Sequence, residues 1–231
     1  MIRLRYYSRK KYALKTPALL REKNGVRMYR NFWKRFFDLV LSGLAIVILS
    51  PLFLILCLWI KLDSKGPVLF RQKRIGRYRT TFEIMKFRTM RIDTPHDVPT
   101  HLLKNPEQWI TRAGRILRKT SLDELPQLLQ IFTGKMAIVG PRPALWNQDD
   151  LVAEREKYGA NDVRPGLTGL AQVNGRDVLS IEDKAELDGM YAAHVTLRTD
   201  LTCLWKTVVA VLTRKGFQEG EHANEHRTED E

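Results

Sequence analysis

Between Asp38 and Lys61 the chain runs for 22 residues without a charge, from Leu39 to Ile60. A soluble core helix is seldom apolar on every face, so this pattern predicts a membrane-embedded helix over 32–62. At about 1.5 Å per residue the run is just long enough to cross a bilayer. Two features favour entry and exit on one side. Ser50-Pro51 lies near the middle, where proline deletes a backbone hydrogen bond and predicts a kink. Lys34 and Arg35 precede the run, while Lys61, Lys65, Arg71, Lys73, Arg74, Arg77 and Arg79 follow it, so both flanks read as cytoplasmic under the positive-inside rule. A kinked re-entrant helix satisfies both flanks; a simple span satisfies the length and stays open. Phe32, Trp33, Phe36, Phe37 and Trp59 would then lie at one interface. A cleaved signal peptide is disfavoured, because Leu62 to Pro67 offers no small-residue cleavage pattern.

Beyond Gly66-Pro67 the pattern shortens. Val68 to Gln72 and Thr80 to Phe87 predict two strands joined through a basic turn around Gly76, a hairpin. Arg112 to Lys119 predicts a helix with Arg112, Arg115 and Lys119 on one face. In Thr120 to Gln127, Ser121 could cap a helix with Glu124 at its third position, but Pro126 would then fall where its missing N–H matters. Taking Asp123 as the cap places Pro126 within the first turn, where it is tolerated. Leu125, Leu128, Leu129 and Phe132 then form a core stripe at helical spacing. Met136 to Val139 reads as a short buried strand. The predicted class is therefore α+β, mainly helical with short strands, with a catalytic domain over 63–217.

Charge adds the two ends. Of the net +13, residues 1 to 35 hold twelve Lys and Arg against Glu22, whereas Gln218 to Glu231 hold six acids against Arg227. We read 1–31 as a basic arm suited to an anionic membrane surface, with nucleic acid as the rival partner, and 218–231 as a solvated acidic tail. Cys57 and Cys203 form no disulfide framework, and the five histidines lack zinc spacing. Any metal would be held by oxygen.

The chemistry then narrows to a few positions. At a helix N-terminus, Asp123 would stand where free N–H groups and the dipole favour anions such as phosphate. Arg142 lies between Pro141 and Pro143, which restrict its backbone and limit what it loses on gripping a phosphate. Arg164 to Arg176 is a loop with three glycines bracketed by two arginines, open to close backbone approach. Gly134-Lys135 lacks the companions of a nucleotide-binding Walker loop. Arg112 and Arg115 could meet phosphates or solvent.

Taken in order, Lys34-Arg35 with Asp38, the apolar run with Ser50-Pro51, Lys86 to Met90, Ser121 to Gln127, Gly140 to Pro143 and Arg164 to Arg176 resemble the small monotopic phosphoglycosyl transferases of bacteria, the bacterial sugar transferases. The resemblance covers roughly residues 32 to 208; Asp188, Tyr191 and the stretch from Asp200 to Thr207 also look like that family's C-terminal part. It implies transfer of a sugar 1-phosphate from a UDP-sugar to polyprenyl (undecaprenyl) phosphate, with UMP released, as the first step of lipid-linked glycan, exopolysaccharide or O-antigen assembly. Asp123 would be the nucleophile of a phosphosugar-aspartyl intermediate. Glu124 would be a metal ligand or a proton acceptor, and Mg²⁺ at Asp123 and Glu124 would neutralise the diphosphate. Arg88 is the first candidate for a phosphate contact, then Arg142, with Arg164 and Arg176 after them.

The implied setting is the bacterial cytoplasmic membrane, with the catalytic domain on its cytosolic face; a homo-oligomer stays open and nucleic acid is not expected. Two departures stand out. The family often carries Asp-Pro-Arg-Ile-Thr before the basic helix, whereas this chain reads Asn105 to Thr111 as Asn-Pro-Glu-Gln-Trp-Ile-Thr, and Leu170 stands where tryptophan is frequent. A noncatalytic scaffold for glycan-assembly enzymes is the remaining rival.

Overall fold

The computed structural model describes residues 27–94, 106–175 and 178–213. The acidic tail at 218–231, and all of the basic arm before residue 27, lie outside the described residues. A π-helical turn, Tyr29–Trp33, leads into α1, Lys34–Asp63. This helix continues through Pro51. Proline cannot donate to the carbonyl of Val47, four residues back, and the Ser50 hydroxyl donates to that carbonyl instead, at 2.8 Å. The serine thus supplies the donor that its neighbour removes.

α1 lies along the rest of the molecule by one face. Asp38, Ser42, Ala45, Ile46, Leu49, Phe53, Leu56 and Ile60 turn inward, each three, four or seven positions from another, as 3.6 residues per turn requires. Leu44, Val47, Ile48, Leu54, Ile55, Leu58 and Leu62 turn outward and are exposed. Charged residues fix the first end: Arg35 donates to the carbonyls of Ile131 and Phe132 at 2.6 and 2.7 Å, and the backbone N–H of Ile138 donates to Asp38.

β1 (Leu69–Ile75) and β2 (Thr81–Phe87) form the expected antiparallel hairpin, in which Phe70 pairs with Lys86 and Arg74 with Phe82. α2 spans Arg112–Thr120 and begins at Thr111, whose hydroxyl accepts from Gly114 N at 2.9 Å. Gly114 is required by contact: a Cβ there would lie 1.9 Å from the Thr89 carbonyl oxygen. α2 ends on Ser121, in the left-handed conformation at φ 57. A single 3₁₀ turn, Leu122–Glu124, then leads to α3, Gln127–Phe132.

Here the structure departs from the sequence expectation. Asp123 is not the cap of α3; it sits in the preceding 3₁₀ turn, and Pro126 occupies the capping position, where no N–H is needed. The stripe shifts with it. Leu128 and Ile131 are buried, while Leu129 and Phe132 are exposed, Phe132 lying against Gly43 of α1.

β3 (Ala137–Val139) and β4 (Gly166–Thr168) pair in parallel, with α4 (Asp149–Glu156) in the crossover. α5 (Leu170–Val173), α6 (Ile181–Ala193) and α7 (Leu197–Thr213) complete the fold. The hydroxyls of Tyr29 and Tyr191 and the Lys34 ammonium all donate to Asp200, tying the start of α1 to α7. Hydrophobic clusters around Phe87 and Leu117, around Ile131 and Met136, and around Val139 and Tyr191 line the inner side of α1 and the two small sheets.

Candidate active site

Alternation along β2 sets Lys86 on the same face as Phe82 and Ile84, and cross-strand pairing adds Phe70, Gln72 and Arg74 to it. That face meets the 3₁₀ turn. The Lys86 ammonium lies 2.6 Å from Glu124 Oε1 and 3.6 Å from Asp123 Oδ2. Adjacent residues in a 3₁₀ turn point about 120° apart, so one lysine between them is what gathers both carboxylates. All three side chains are largely buried, whereas the Arg142 side chain is 45% exposed and reaches Glu124 Oε1 at 3.6 Å.

Two further cations border the pair. Arg118, one turn before the dyad, acts on Asp123 electrostatically. Arg74 donates through Nη1 to the Pro143 carbonyl at 3.1 Å and through Nη2 to Gln72 Oε1 at 2.7 Å. Burial and the nearby charge of Arg142 push its guanidinium down to about 10, against the pull of Glu124. Lys86, Arg74, Arg118 and Arg142 thus oppose two carboxylates, which leaves an excess of positive charge and suits an anionic ligand. The Asp123 carboxyl is pushed above the ordinary carboxylate range, first by burial and also by the charge of Glu124, while Lys86, Arg118 and Arg142 pull it down.

Of the other expected site residues, few come near. Arg88 is buried at the end of α1, where it donates to the Ser64 carbonyl at 2.7 Å, the Ser64 hydroxyl at 2.9 Å and the Ile60 carbonyl at 3.4 Å. It caps a helix: lying just past the end of β2, it turns its guanidinium to the carbonyls at the end of α1. Arg164 donates to the Gly134 carbonyl at 3.0 Å, crowded by Arg35 and Arg77. Arg112 and Arg115 lie exposed along α2. Arg176 is outside the described residues. The residues that sequence reasoning did not single out are Lys86, Arg74 and Arg118. Strand parity around Ile84 was a signal for Lys86; Arg118 lies beside the stripe of Arg112, Arg115 and Lys119, one helical turn after Arg115.

Among the described residues, no three His, Cys, Asp or Glu side chains converge as a metal cage. The donor set nevertheless fits a hard cation bound by one or two carboxylates together with substrate phosphates, the usual mode for Mg²⁺. Asp123 is the freer donor, since Glu124 already faces Lys86 and Arg142.

The sequence places these features among known proteins. The bacterial sugar transferase family matches residues 29–214. The exopolysaccharide production protein ExoY of Sinorhizobium fredii is 36% identical over 209 residues, covering 84% of this chain and 92% of that protein. The UDP-glucose:undecaprenyl-phosphate glucose-1-phosphate transferase of Caulobacter vibrioides is 42% identical over 189 residues, covering 78% and 70% respectively. The undecaprenyl-phosphate galactose phosphotransferase of Salmonella typhimurium is 35% identical over 214 residues, covering 86% of this chain and 44% of that protein. The match runs from the π-helical turn at Tyr29 to the end of α7 and takes in the dyad, its lysine and the Pro141 to Pro143 turn, so the chain belongs to the bacterial sugar transferase family and is a phosphoglycosyl transferase.

Proposed function

We propose that this enzyme transfers a sugar 1-phosphate from a UDP-sugar to polyprenyl phosphate, most simply undecaprenyl phosphate, in the first membrane step of glycan or exopolysaccharide assembly. The observation that carries the reading is the uneven sharing of Lys86. Glu124 holds Lys86 at 2.6 Å and also faces Arg142, while Asp123 stands at the longer distance of 3.6 Å and keeps an oxygen free to attack.

In the first step an Asp123 oxygen attacks the phosphorus that bears the sugar. The bond between that phosphorus and the bridging oxygen breaks, and UMP departs with the electron pair. A phosphosugar-aspartyl linkage is left. In the second step a polyprenyl phosphate oxygen attacks the same phosphorus and Asp123 is released as carboxylate, giving polyprenyl diphosphate sugar. Lys86, Arg142 and Arg118 stabilise charge on the phosphoryl oxygens in both displacements. Glu124 keeps Lys86 and Arg142 aimed at the reacting phosphate. Mg²⁺, held by Asp123 with Glu124 beside it, would supply charge neutralisation of the diphosphate when bound.

The same proposal places α1 in the cytoplasmic membrane as a re-entrant element, with the domain on the cytosolic face. Support comes from packing. Arg35 and Asp38 at one end of α1, and Leu56 and Ile60 at the other, contact one and the same domain. A straight span would draw that domain, with its charged surface, into hydrocarbon. The outward leucine, isoleucine and valine face suits lipid instead.

The test is UMP release from a panel including UDP-glucose and UDP-galactose, with undecaprenyl phosphate and Mg²⁺. Turnover of one donor, lost in Asp123→Asn with membrane association intact, is the expected result. Wild-type turnover by purified Asp123→Asn would rule out the nucleophile assignment, and release from none of the donors would rule out the reaction.

A further inference from the structure

The Pro141-Arg142-Pro143 turn is held by its backbone to an unusual degree. Pro141 and Pro143 have no N–H to donate, and every carbonyl from 141 to 144 is taken by a different donor. Gly166 N donates to Pro141 O at 2.8 Å, Arg155 Nη2 to Arg142 O at 2.9 Å, Arg74 Nη1 to Pro143 O at 3.1 Å and Ile75 N to Ala144 O at 2.9 Å. Two of those donors are backbone groups that any residue would offer. The other two are guanidinium groups, that of Arg155 buried and that of Arg74 half-buried, and burying an arginine is costly unless something is gained by it.

Arg155 is 6% exposed and Asp188 1%; its Nε and Nη2 both donate to Asp188 Oδ2, at 2.9 and 2.6 Å, while Nη2 also reaches the Arg142 carbonyl. Among the described residues, Arg74 makes no ion pair within 4 Å of the kind that holds Arg155; its fork spans Gln72 and Pro143. Neither arginine extends a hydrogen bond to Asp123 or Glu124. They end on the carbonyl of Arg142 and on that of the next residue, Pro143, and Arg142 is the residue whose side chain is half exposed and aimed at Glu124.

We propose that the Arg155–Asp188 pair and Arg74 are positioning residues that fix the backbone of Arg142 from below, so that its guanidinium meets the substrate phosphate without first being ordered. The inference rests on the reading that Arg142 contacts that phosphate. A long side chain loses conformational freedom when it grips a ligand. Fixing its Cα removes the backbone share of that loss, and misplacement by about 1 Å at such a group can cost on the order of 10²-fold in rate. Rigid carbonyl anchoring beneath a mobile cation therefore favours the transition state over the loosely bound donor, and the loss on releasing the anchor falls mainly on kcat.

The test is a mutant cycle on the full-length enzyme, read by steady-state UMP release at varied concentrations of the best donor of the panel, with undecaprenyl phosphate and Mg²⁺. R155M/D188L replaces the pair by apolar side chains, which removes the anchor without leaving a lone buried charge. It is expected to lose about 10- to 100-fold in rate, with KM changing less than kcat and the thermal midpoint preserved. In an R142A background the same pair of changes is expected to have an effect of less than about 3-fold, because the group it positions is gone. A full, additive loss in the R142A background would overturn the inference while leaving the phosphate role of Arg142 intact. A wild-type rate for R142A alone would instead overturn that role, and the inference with it. Should R155M/D188L fail to fold, R74K, which keeps the charge but cannot bridge Gln72 and Pro143 as a fork, enters the same cycle with the same expected and contrary outcomes.

Discussion

Lys86 decides what the acidic pair can do. Its ammonium is the largest influence pulling the Asp123 carboxyl down, against burial, which is the largest pushing it up. Lys86→Gln should therefore move the acid limb of the kcat/KM profile to higher pH, as a pH–rate series would report. The same balance sets a cost in stability. A carboxyl raised in the folded state contributes stability in full below its unfolded value, and that contribution is lost as pH rises through its folded value. Above its folded value the ionised Asp123 thus burdens the fold, and Asp123→Asn should raise the thermal midpoint there, with the gain vanishing in acid. An unchanged midpoint at both pH values would contradict this. Asp123 and Glu124 were singled out in the sequence by the ordered set of motifs around them, since an acidic pair alone is unremarkable. The partnership with Lys86 was not, because it joins positions 38 residues apart in sequence. Arg88 shows the complementary case: the sequence offered it as a phosphate contact, and its hydrogen bonds to Ser64 and Ile60 at the buried end of α1 could not be read from neighbours.

At the scale of elements, the sequence spoke clearly wherever a pattern was local. The hairpin, α2 and β3 fall within a few residues of their expected limits, since alternation and helical spacing are read from neighbours. The link from α2 to α3 was misjudged because Ser121 takes a left-handed backbone at φ 57, which no neighbour announces, and the 3₁₀ turn that follows uses up the residues assigned to the helix. That turn is what brings both acids to one lysine. Its position depends on α2, and α2 depends on how closely it approaches Thr89, two residues past the end of the Lys86 strand. Gly114→Ala would drive a Cβ to 1.9 Å from the Thr89 carbonyl, so a loss of about 1–3 kcal/mol is expected on the overpacking scale. Thermal unfolding would measure it; a neutral substitution would mean that α2 can slide without penalty.

For the whole molecule the proposal requires that a polar active site be kept at a lipid surface. α1 answers by lying along the domain with one face and presenting exposed Leu44, Val47, Ile48, Ile55, Leu58 and Leu62 with the other. The length and composition of this helix were readable from sequence; its inner stripe, ending on Asp38 and Ser42, needed the donor Ile138 N, and the Ser42 hydroxyl turned back to the Asp38 carbonyl, to be seen. Single cysteines at Arg30 and Lys65, both exposed, should label from the cytoplasmic side alone in intact cells, and labelling of either from outside would contradict the re-entrant arrangement. The central claim is that the sugar phosphate rests on Asp123 between donor and lipid. The most direct measurement is the intact mass of purified enzyme mixed with its UDP-sugar and Mg²⁺ in the absence of polyprenyl phosphate, with UMP quantified in parallel. The account predicts an adduct of one sugar phosphate, mapped to Asp123, matched by released UMP and absent from Asp123→Asn. UMP release that waits for the lipid, with no adduct at any time, would contradict it.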